Sequence, residues 1–576
     1  MKTIAHQALG ATAAETDSRR NSPASPGSRS ATARTSLGLF ALLVVLALVW
    51  FATLGTRSLV SPDEGRYASL ALEMAASGDW VTPRLNGLLY FEKPILQYWI
   101  GALAFLGFGV SEFSARLWPG LAGFLTLLAV GFTAGRLWGR EAGIRALAIA
   151  ASMTWIIGNS HFLTLDSGLT LFLTLALSAV LLAHANPDPR SRRRWIWLAW
   201  AAMAGAVLSK GLVGIVIPGA VLVVVSLWRR DMGLWRGMHW TSGLAIFFAL
   251  AAPWFVLVSM RNPSFAEFFF IHEHFARYLT QVHQREGAWW YYVPLLLGGM
   301  LPWTGALPWL FRKDPAAQQG GSRIKTRDIL LVWCAFIFLF FSASGSKLPS
   351  YILPMFPALA LLLTLQLRNS AASTLRWHLL LPVLAWVLLL ALAIDPARFA
   401  SVSSPVEVLQ PLADAARLGA VIFFVGAALA WWCLGRRKVT AAVLCIAFAH
   451  LVASSMVMQA HNTYGQLKSA APLAAALQSD ITPETPVFAV QAYDQTLPFY
   501  LGRNVVLVDY QDEFALGQSV EPQRSITTLD EFAARWEALP QAAAYMTKPT
   551  WLELQQRGLP MRTVFEDPRR VVVLKK

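Results

Sequence analysis

The sequence predicts a polytopic α-helical membrane protein that ends in a small soluble α/β domain. Three observations support this prediction. Of the 576 residues, 56% are hydrophobic, and the mean hydropathy is +0.48, well above that of ordinary soluble domains. The basic residues concentrate in short runs between apolar segments, as expected for cytoplasmic loops. After Met458 the long apolar segments stop and short β-type runs begin.

The N-terminal part predicts a cytoplasmic tail and a first span. Residues 1–36 are rich in Ser, Ala, Thr and Arg without apolar periodicity, which predicts disorder. Residues 37–54 are apolar and long enough to cross a bilayer. Because Arg29 and Arg34 precede this span, the tail is expected inside and the next loop, which contains Asp63, outside.

The segment Ile95–Val110 decides the topology of the rest of the chain. It is apolar, but it is short and interrupted by glycine. If it crossed the membrane, the basic loop at 135–140 and most later basic loops would lie outside. If it lies in the interface as a juxtamembrane helix, nearly all of those loops fall inside. We therefore interpret Ile95–Val110 as a non-spanning helix.

Twelve further apolar segments follow, and with the first they predict about thirteen transmembrane helices in a membrane domain over residues 37–458. An odd number places the C-terminus outside. The twelve segments are 116–135, 145–161, 168–185, 195–209, 211–228, 240–260, 289–311, 328–344, 351–367, 377–394, 416–435 and 439–458.

The C-terminal part, residues 465–576, predicts the soluble α/β domain. Strand-like runs occur at Val487–Val490, Val505–Val508 and Val571–Leu574, with a helical stretch at Leu529–Leu539. The sequence shows neither a Gly-rich phosphate loop nor an obvious metal cluster here. We interpret the domain as a docking or lid module outside the membrane.

Charged residues converge in the loops predicted to lie outside. Ionisable groups beside a membrane are costly and usually functional. An ion pair between loops can explain any single one of these charged residues, whereas the group as a whole favours a catalytic or binding site. The group comprises Asp63, Glu64, Arg66, Glu92, Lys93, Asp166, Lys210, His272, His274, Arg277 and Lys347, with Tyr351.

Several of these residues have a structural explanation that the sequence leaves open. Asp63 follows Pro62 at the start of a helical stretch, so it could be a helix cap. The lysines could snorkel at the interface instead of holding phosphate oxygens. His272 and His274 flank Glu273, which is not the H-E-x-x-H zinc spacing, so spacing alone favours a metal-free histidine pair.

Five stretches carry a resemblance to a known family. They are SPDEGRYA at 61–68, YFEKP at 90–94, LTLDSGL at 163–169, LSKGL at 208–212 and SGSKLPSYILP at 344–354. Over residues 37–367 the chain resembles the bacterial lipid A 4-amino-4-deoxy-L-arabinose transferases, which belong to the protein-O-mannosyltransferase-like group. The first two stretches are specific for the wider group, and SKLPSYILP with IHEHFARY favours the aminoarabinose branch.

The resemblance implies a GT-C fold with periplasmic juxtamembrane helices and a periplasmic C-terminal domain. It implies that Asp63 and Asp166 are catalytic and that a divalent metal, with zinc expected, binds at Glu92 and His272, although His274 stays an alternative. Lys93, Arg277 and Tyr351 are expected to handle the donor phosphate, supported by the loop cations Arg66, Lys210 and Lys347.

The implied reaction transfers 4-amino-4-deoxy-L-arabinose from undecaprenyl phosphate to a lipid A phosphate at the periplasmic face of the bacterial inner membrane. The expected partners are this donor, lipid A and the bilayer. Nucleic acid is not expected, because the excess of basic residues lies in loops. A related transferase acting on protein Ser/Thr or on another glycan remains an alternative. A lipid transporter is less favoured, because the charges lie in loops rather than at mid-span.

Overall fold

The computed structural model describes residues 26–276, 287–312, 323–368, 372–402 and 404–576, with the backbone alone for 26–36 and 272–276. Helix α1 (Pro26–Phe51) forms a unit by itself. It begins inside the segment predicted as a tail, whereas residues 1–25 lie outside the described part. Its apolar portion, Leu37–Phe51, ends short of the predicted span end at Leu54.

The second unit, Ala52–Lys576, is mostly helical as far as Gln466. A short antiparallel hairpin, β1 (Arg84–Leu85) and β2 (Leu88–Leu89), follows the first of its helices. The α-helices in this part are α2 (Asp63–Ser77), α3 (Leu96–Phe108), α4 (Glu112–Trp138), α5 (Arg140–Ser152), α6 (Thr154–Ser160), α7 (Asp166–Ala185), α8 (Pro189–Lys210), α9 (Val213–Arg229), α10 (Gly233–Arg236), α11 (Trp240–Arg261), α12 (Tyr292–Gly299), α13 (Thr326–Ala343), α14 (Phe356–Leu367), α15 (Ala372–His378), α16 (Leu380–Ile394), α17 (Val406–Gly435) and α18 (Val439–Gln466). A π-helix covers Glu267–Ala276, and 3₁₀ helices cover Thr304–Phe311, Pro349–Met355 and Pro396–Phe399.

The helices confirm a multi-pass membrane protein. Among the described residues, eight helical stretches are long and apolar enough to cross a membrane, or nine if one bent pair counts as a single span. The predicted number of about thirteen stays a prediction. Shorter apolar helices such as α9, with 17 residues, account for part of the difference.

Two predicted spans are broken. A single helix over 289–311 is wrong, because α12 and the 3₁₀ helix after it are bent by 106°. Pro302 lies in this bend and has no backbone N–H to continue a helix. The span predicted over 145–161 is divided into α5 and α6 at Met153, whose backbone is extended.

The two breaks contact each other. The backbone N–H of Thr154 donates to the Leu301 carbonyl oxygen at 3.1 Å. The indole Nε1 of Trp303 donates to the hydroxyl of Ser152 at 2.9 Å. One backbone N–H and one backbone carbonyl at the two breaks therefore satisfy each other, as an apolar environment requires, and the side-chain contact supports the same arrangement.

Helix α3 has the properties expected of a non-spanning helix. Its 13 residues correspond to about 20 Å at 1.5 Å per residue, less than the ~30 Å apolar core of a bilayer. Leu103, Leu106 and Phe108 on this helix are well exposed. The helix precedes α4, the first long apolar helix of the second unit.

A buried ion pair fixes the start of α2. Glu64 Oε1 accepts from Arg116 Nε at 2.7 Å, and Glu64 Oε2 accepts from Arg116 Nη2 at 2.8 Å. The same carboxylate accepts from the backbone N–H of Val60 and of Leu163. Burial opposes ionisation of Glu64, but Arg116 outweighs it and lowers the pKa of Glu64 below its usual value. This carboxylate therefore joins α2 to α4 and to the loop before α7.

The C-terminal part forms a six-stranded mixed sheet, which confirms the predicted α/β domain. The strands are β3 (Val487–Val490), β4 (Val506–Val508), β5 (Ser525–Ile526), β6 (Ala543–Thr547), β7 (Met561–Glu566) and β8 (Arg570–Lys575). Their order is β5-β4-β3-β6-β8-β7. The first four strands are parallel, and β8 is antiparallel to both of its neighbours, β6 and β7. The helices are α19 (Ala471–Gln478), α20 (Leu497–Leu501), α21 (Ala515–Val520), α22 (Leu529–Ala538) and α23 (Lys548–Gln556), with short 3₁₀ turns at Asp512–Phe514 and Pro522–Arg524.

The sheet packs against the juxtamembrane helices with one face. Because side chains alternate along a strand, Val487 and Ala489 face the cluster that includes residues of α2 and α3. Phe488 and Val490 face the opposite cluster, formed with α22 and α23. On α2, Gly65 lies so close to the domain that a Cβ there would come within 2.4 Å of its backbone. The contact between α2 and the domain therefore requires a glycine.

Candidate active site

Charged side chains from distant parts of the sequence line one cavity. The contributing segments are the start of α2, the loop after β2, the start of α7, the end of α8, the 3₁₀ helix Pro349–Met355 and the C-terminal domain. The lining residues are Asp63, Arg66, Tyr67, Glu92, Lys93, Thr164, Leu165, Asp166, Lys210, Leu348, Ser350, Tyr351, Asp512 and Glu513.

Asp63 lies at the cavity and does not cap its helix. Pro62 occupies the N-cap position of α2, and no side chain there accepts a capping hydrogen bond. Asp63 Oδ1 instead accepts from Arg66 Nη1 at 2.9 Å, and the Asp63 side chain is 46% exposed. The carboxylate is thus partly free to contact a ligand.

Arg66 connects α2 to the C-terminal domain. Its Nη2 donates to Glu513 Oε2 at 2.6 Å, while its Nη1 holds Asp63. Gln495 Nε2 donates to the other oxygen of Glu513 at 3.2 Å. Burial raises the pKa of Glu513, although Arg66 and Gln495 favour its ionised form. The C-terminal domain therefore supplies part of the cavity wall, beyond the docking role predicted from sequence.

Asp166, Lys210 and Tyr351 form a second group in the cavity. Asp166 begins α7 and forms an ion pair with Lys210 at the end of α8. The Lys210 Nζ also lies 4.7 Å from the centroid of the Tyr351 ring, a cation–π distance. These three residues, predicted from separate motifs, are brought together by the fold.

Glu92 and Lys93 follow β2 and also line the cavity. Their charged groups are 3.9 Å apart, and Lys93 Nζ donates to the backbone carbonyl of Glu92 at 2.8 Å. Lys347 does not belong to the lining, although its neighbour Leu348 does. The Lys347 Nζ donates to the Ser344 carbonyl oxygen at 2.8 Å.

Two predicted site residues cannot be placed at the cavity. Arg277 lies outside the described residues, and only the backbone of His272, within the π-helix, is described. Within the described part of the chain, no three His, Cys, Asp or Glu side chains converge as metal ligands. Of the predicted metal-binding pair, Glu92 is therefore the one whose side chain is described.

Sequence reasoning missed Asp512 and Glu513. They follow β4, in the run VVLVDYQDEF, at the carboxyl end of a parallel strand. Gln495 follows the neighbouring parallel strand β3 at the same edge. Polar residues at the carboxyl ends of adjacent parallel strands are a common position for ligand contacts, and this signal could have identified them.

Two family models match the chain. The dolichyl-phosphate-mannose-protein mannosyltransferase model matches residues 35–269, and the aminoarabinose transferase C-terminal domain model matches residues 473–575. The first match contains much of the cavity, and the second contains Asp512 and Glu513.

Curated relatives carry the name undecaprenyl phosphate-α-4-amino-4-deoxy-L-arabinose arabinosyl transferase. The protein from Edwardsiella ictaluri is 34% identical over 57% of this chain and 58% of its own length. A protein from Pseudomonas aeruginosa is 36% identical over 58% of this chain and 61% of its own length. The protein from Erwinia tasmaniensis is 31% identical over 73% of this chain and 76% of its own length. The chain thus spans about three fifths of the first two relatives it matches.

The structural similarity extends further along the chain. The crystal structure of ArnT from Cupriavidus metallidurans bound to undecaprenyl phosphate superposes with a TM-score of 0.88 at 38% identity. The superposition covers 93% of this chain and 98% of that one, so it includes both the helical part and the C-terminal sheet. With this GT-C architecture and the match to the Erwinia protein, the chain belongs to the family of undecaprenyl phosphate-aminoarabinose arabinosyl transferases.

Proposed function

We propose that the protein is a glycosyltransferase that moves 4-amino-4-deoxy-L-arabinose from undecaprenyl phosphate to a phosphate of lipid A. The relatives' name and the undecaprenyl phosphate bound to the Cupriavidus protein support this proposal. We place the protein in the bacterial inner membrane, and positive-inside counting supports an orientation with the cavity on the periplasmic side. The main observation in favour of an amino sugar is the charge balance of the cavity.

Carboxylates outnumber cations in the cavity lining. The described lining holds five carboxylates and three cations, which are Asp63, Glu92, Asp166, Asp512 and Glu513 against Arg66, Lys93 and Lys210. Adding Arg277 and Lys347 would only equalise the two numbers, before the donor phosphate contributes its own negative charge. A cationic group on the ligand would restore the balance. The ammonium of an amino sugar is such a group, whereas a neutral hexose is not.

The cations and carboxylates have separate tasks in this proposal. When the sugar leaves undecaprenyl phosphate, negative charge develops on the leaving phosphate, and Lys93 and Lys210 stabilise it. An acceptor phosphate monoester has a second pKa of about 6 and is largely ionised already. Asp63 therefore orients the acceptor or the ammonium rather than acting as a strong base. Asp166 holds Lys210 in position.

Removal of carboxylate charge from the C-terminal domain is expected to reduce selectivity for the amino sugar. In the double variant Asp512→Asn, Glu513→Gln, the KM for the aminoarabinose donor should rise about tenfold, since charge-assisted hydrogen bonds are lost. The KM for a donor carrying arabinose without the amino group should change little. Steady-state transfer assays with both donors measure this, with Glu537→Gln, an exposed carboxylate of the same domain, as control. Equal losses with both donors would contradict amino-group recognition.

We also propose that a divalent metal, with zinc expected, is held by Glu92 and His272, while Lys93, Arg277 and Tyr351 hold the donor phosphate. A metal would supply a link that orders the loop after β2 and the segment after α11. Glu92→Ala or His272→Ala should lower bound metal, and excess donor should restore little activity. Lys93→Ala or Arg277→Ala should retain metal and recover at high donor concentration.

Elemental analysis of the purified variants, combined with transfer rates at several donor concentrations, separates these two roles. Full metal occupancy in the Glu92 and His272 variants would refute the metal site. An unchanged donor dependence in the Lys93 and Arg277 variants would refute the phosphate site.

A further inference from the structure

A second cavity lies along the C-terminal half of α2 and shares no lining residue with the catalytic cavity. Its other walls are the β1–β2 hairpin and the C-terminal domain. We call it the arginine cleft. It is lined by Ser69, Leu72, Glu73, Met74, Ala76, Ser77, Thr82, Arg84, Gly87, Pro498, Gly502, Arg503, Asn504 and Arg524.

The walls of the arginine cleft are firmly connected. The side chain of Asn86, at the hairpin turn, donates to the Val505 carbonyl and accepts from the Val505 N–H, both at 2.8 Å. The next residue, Gly87, has φ +79°, and its N–H donates to Glu73 Oε2 at 2.9 Å. With its amide oriented to satisfy both neighbours, Asn504 bridges Glu73 and Gly87. Helix, hairpin and domain therefore form one preorganised site.

Three guanidinium groups from separate elements give the cleft its charge. Arg84 donates to Glu521 at 2.8 Å and to the Gly87 carbonyl, so it mainly anchors the hairpin. Arg524 is 50% exposed and lies 3.6 Å from the same Glu521. Arg503 Nη1 donates to two backbone carbonyls, whereas its Nη2 is buried without an acceptor among the described residues. These contacts fix the Arg503 guanidinium in the wall of the cleft, where it contributes positive charge.

Glu73 offsets little of this positive charge. Burial raises the pKa of Glu73 to about 7, despite the backbone hydrogen bond from Gly87 and the nearby Arg84 and Arg524. The carboxyl group is therefore only partly ionised at neutral pH. The planar fork of the half-exposed Arg524 matches the geometry of phosphate oxygens, which it can bind with paired hydrogen bonds, and Arg503 adds positive charge beside it.

The cleft lies beside the end of a membrane helix. The hydroxyl of Thr82, which lines the cleft, accepts a hydrogen bond from Asn262 Nδ2 at 3.0 Å. Asn262 directly follows the last residue of α11. That last residue, Arg261, pairs with Asp79 at 3.3 Å. The headgroup of a lipid in the adjacent leaflet can therefore reach the cleft. Along α2, Arg66 of the catalytic cavity and Glu73 of the arginine cleft are separated by a rise of about 10 Å.

We propose that the arginine cleft binds a second phosphate of the acceptor's sugar headgroup, while another phosphate of the same headgroup reacts in the catalytic cavity. This inference rests on the proposed function, because it takes the acceptor to be a phosphorylated glycolipid. It assigns Arg503 and Arg524 to acceptor binding rather than to chemistry. An acceptor that carries two phosphates on a disaccharide can place one phosphate beside Lys93 and Lys210 in the catalytic cavity and the other in the arginine cleft.

Transfer kinetics with two acceptors test the proposal. At saturating donor, Arg503→Gln, Arg524→Gln should raise the KM for bis-phosphorylated lipid A about tenfold or more and leave the donor KM and kcat near wild type. With monophosphoryl lipid A the double variant and wild type should differ little. Arg524→Gln alone changes a half-exposed side chain and should not disturb folding. It should raise the KM for bis-phosphorylated lipid A in the same direction by a smaller factor. Arg535→Gln, an exposed arginine of α22, is the matched control.

Binding without donor separates this inference from the proposed function. Native mass spectrometry of the detergent-solubilised protein with bis-phosphorylated lipid A should show weaker binding to the double variant than to wild type and to Arg535→Gln. If binding responds in this way but wild type transfers no sugar, the proposed function fails and the cleft assignment stands. If both KM and binding match wild type in the double variant, the cleft does not bind the acceptor.

Discussion

Asp63→Asn is expected to reduce the rate of sugar transfer by about 10²-fold, the cost of misplacing a bound reactant. The side chain is almost half exposed at the cavity and holds Arg66, which in turn holds Glu513 of the C-terminal domain. Asparagine keeps the size of the side chain and one acceptor oxygen, but it removes the charge that faces the ligand. The measurement is the single-turnover transfer rate at saturating donor and acceptor.

The same variant should fold and insert normally. Asp63 does not cap α2, and an ion pair of this exposure contributes at most about 1 kcal/mol. The unfolding temperature should therefore stay close to that of wild type. A cysteine introduced by Asp79→Cys should label from the periplasm equally in both backgrounds. Asp530→Asn, which also breaks an exposed Asp–Arg pair, is the control. Near-wild-type transfer by Asp63→Asn would reduce Asp63 to a structural partner of Arg66.

The sequence was sufficient to predict which loops come together at the cavity. Asp63, Arg66, Glu92, Lys93 and Asp166 all line one cavity, as do Lys210 and Tyr351. The prediction worked because charge is rare in this chain and because one topological argument placed these loops on the same side. Lys347 shows the limit of this kind of prediction. A motif locates the loop, but the packing of the loop decides whether a side chain faces the cavity or, as for Lys347, a nearby carbonyl.

The contribution of the C-terminal domain could not be predicted in the same way. Glu513 reaches Arg66 across 447 positions of sequence, and no local pattern indicates which strand-end loop will meet α2. The breaks at Met153 and near Pro302 were also missed. Hydropathy measures the composition of a segment, whereas these breaks depend on backbone hydrogen bonds between two segments that are distant in sequence.

Glu64, the neighbour of Asp63 in sequence, is expected to behave in the opposite way when replaced. It is fully buried and takes both charge-assisted bonds from Arg116, whose guanidinium also donates to the carbonyls of Leu54, Arg57 and Ser58. Glu64→Ala would leave the Arg116 charge buried without its counterion, at a cost of about 3–5 kcal/mol. We expect a strongly lowered unfolding temperature and little folded protein in the membrane.

The pH dependence of this contribution has a definite sign. The folded-state pKa of Glu64 lies below the ordinary value of 4.5. The stabilisation by the ion pair is therefore fully present above pH 4.5 and is lost as the pH falls through the folded-state pKa. Wild type and Glu64→Ala should differ most in unfolding temperature near neutral pH, and the difference should shrink only in strongly acidic buffer.

A double-mutant cycle separates a structural ion pair from a catalytic acid. If Glu64 serves to neutralise Arg116, then Glu64→Ala combined with Arg116→Met should be less destabilised than the sum of the two single variants, because no unpaired buried charge remains. The rescue should be partial, since the three carbonyls lose their donor. Additive losses in unfolding temperature would contradict this coupling. A Glu64→Ala protein that unfolds like wild type but transfers no sugar would place Glu64, and not only Asp63, in the chemistry.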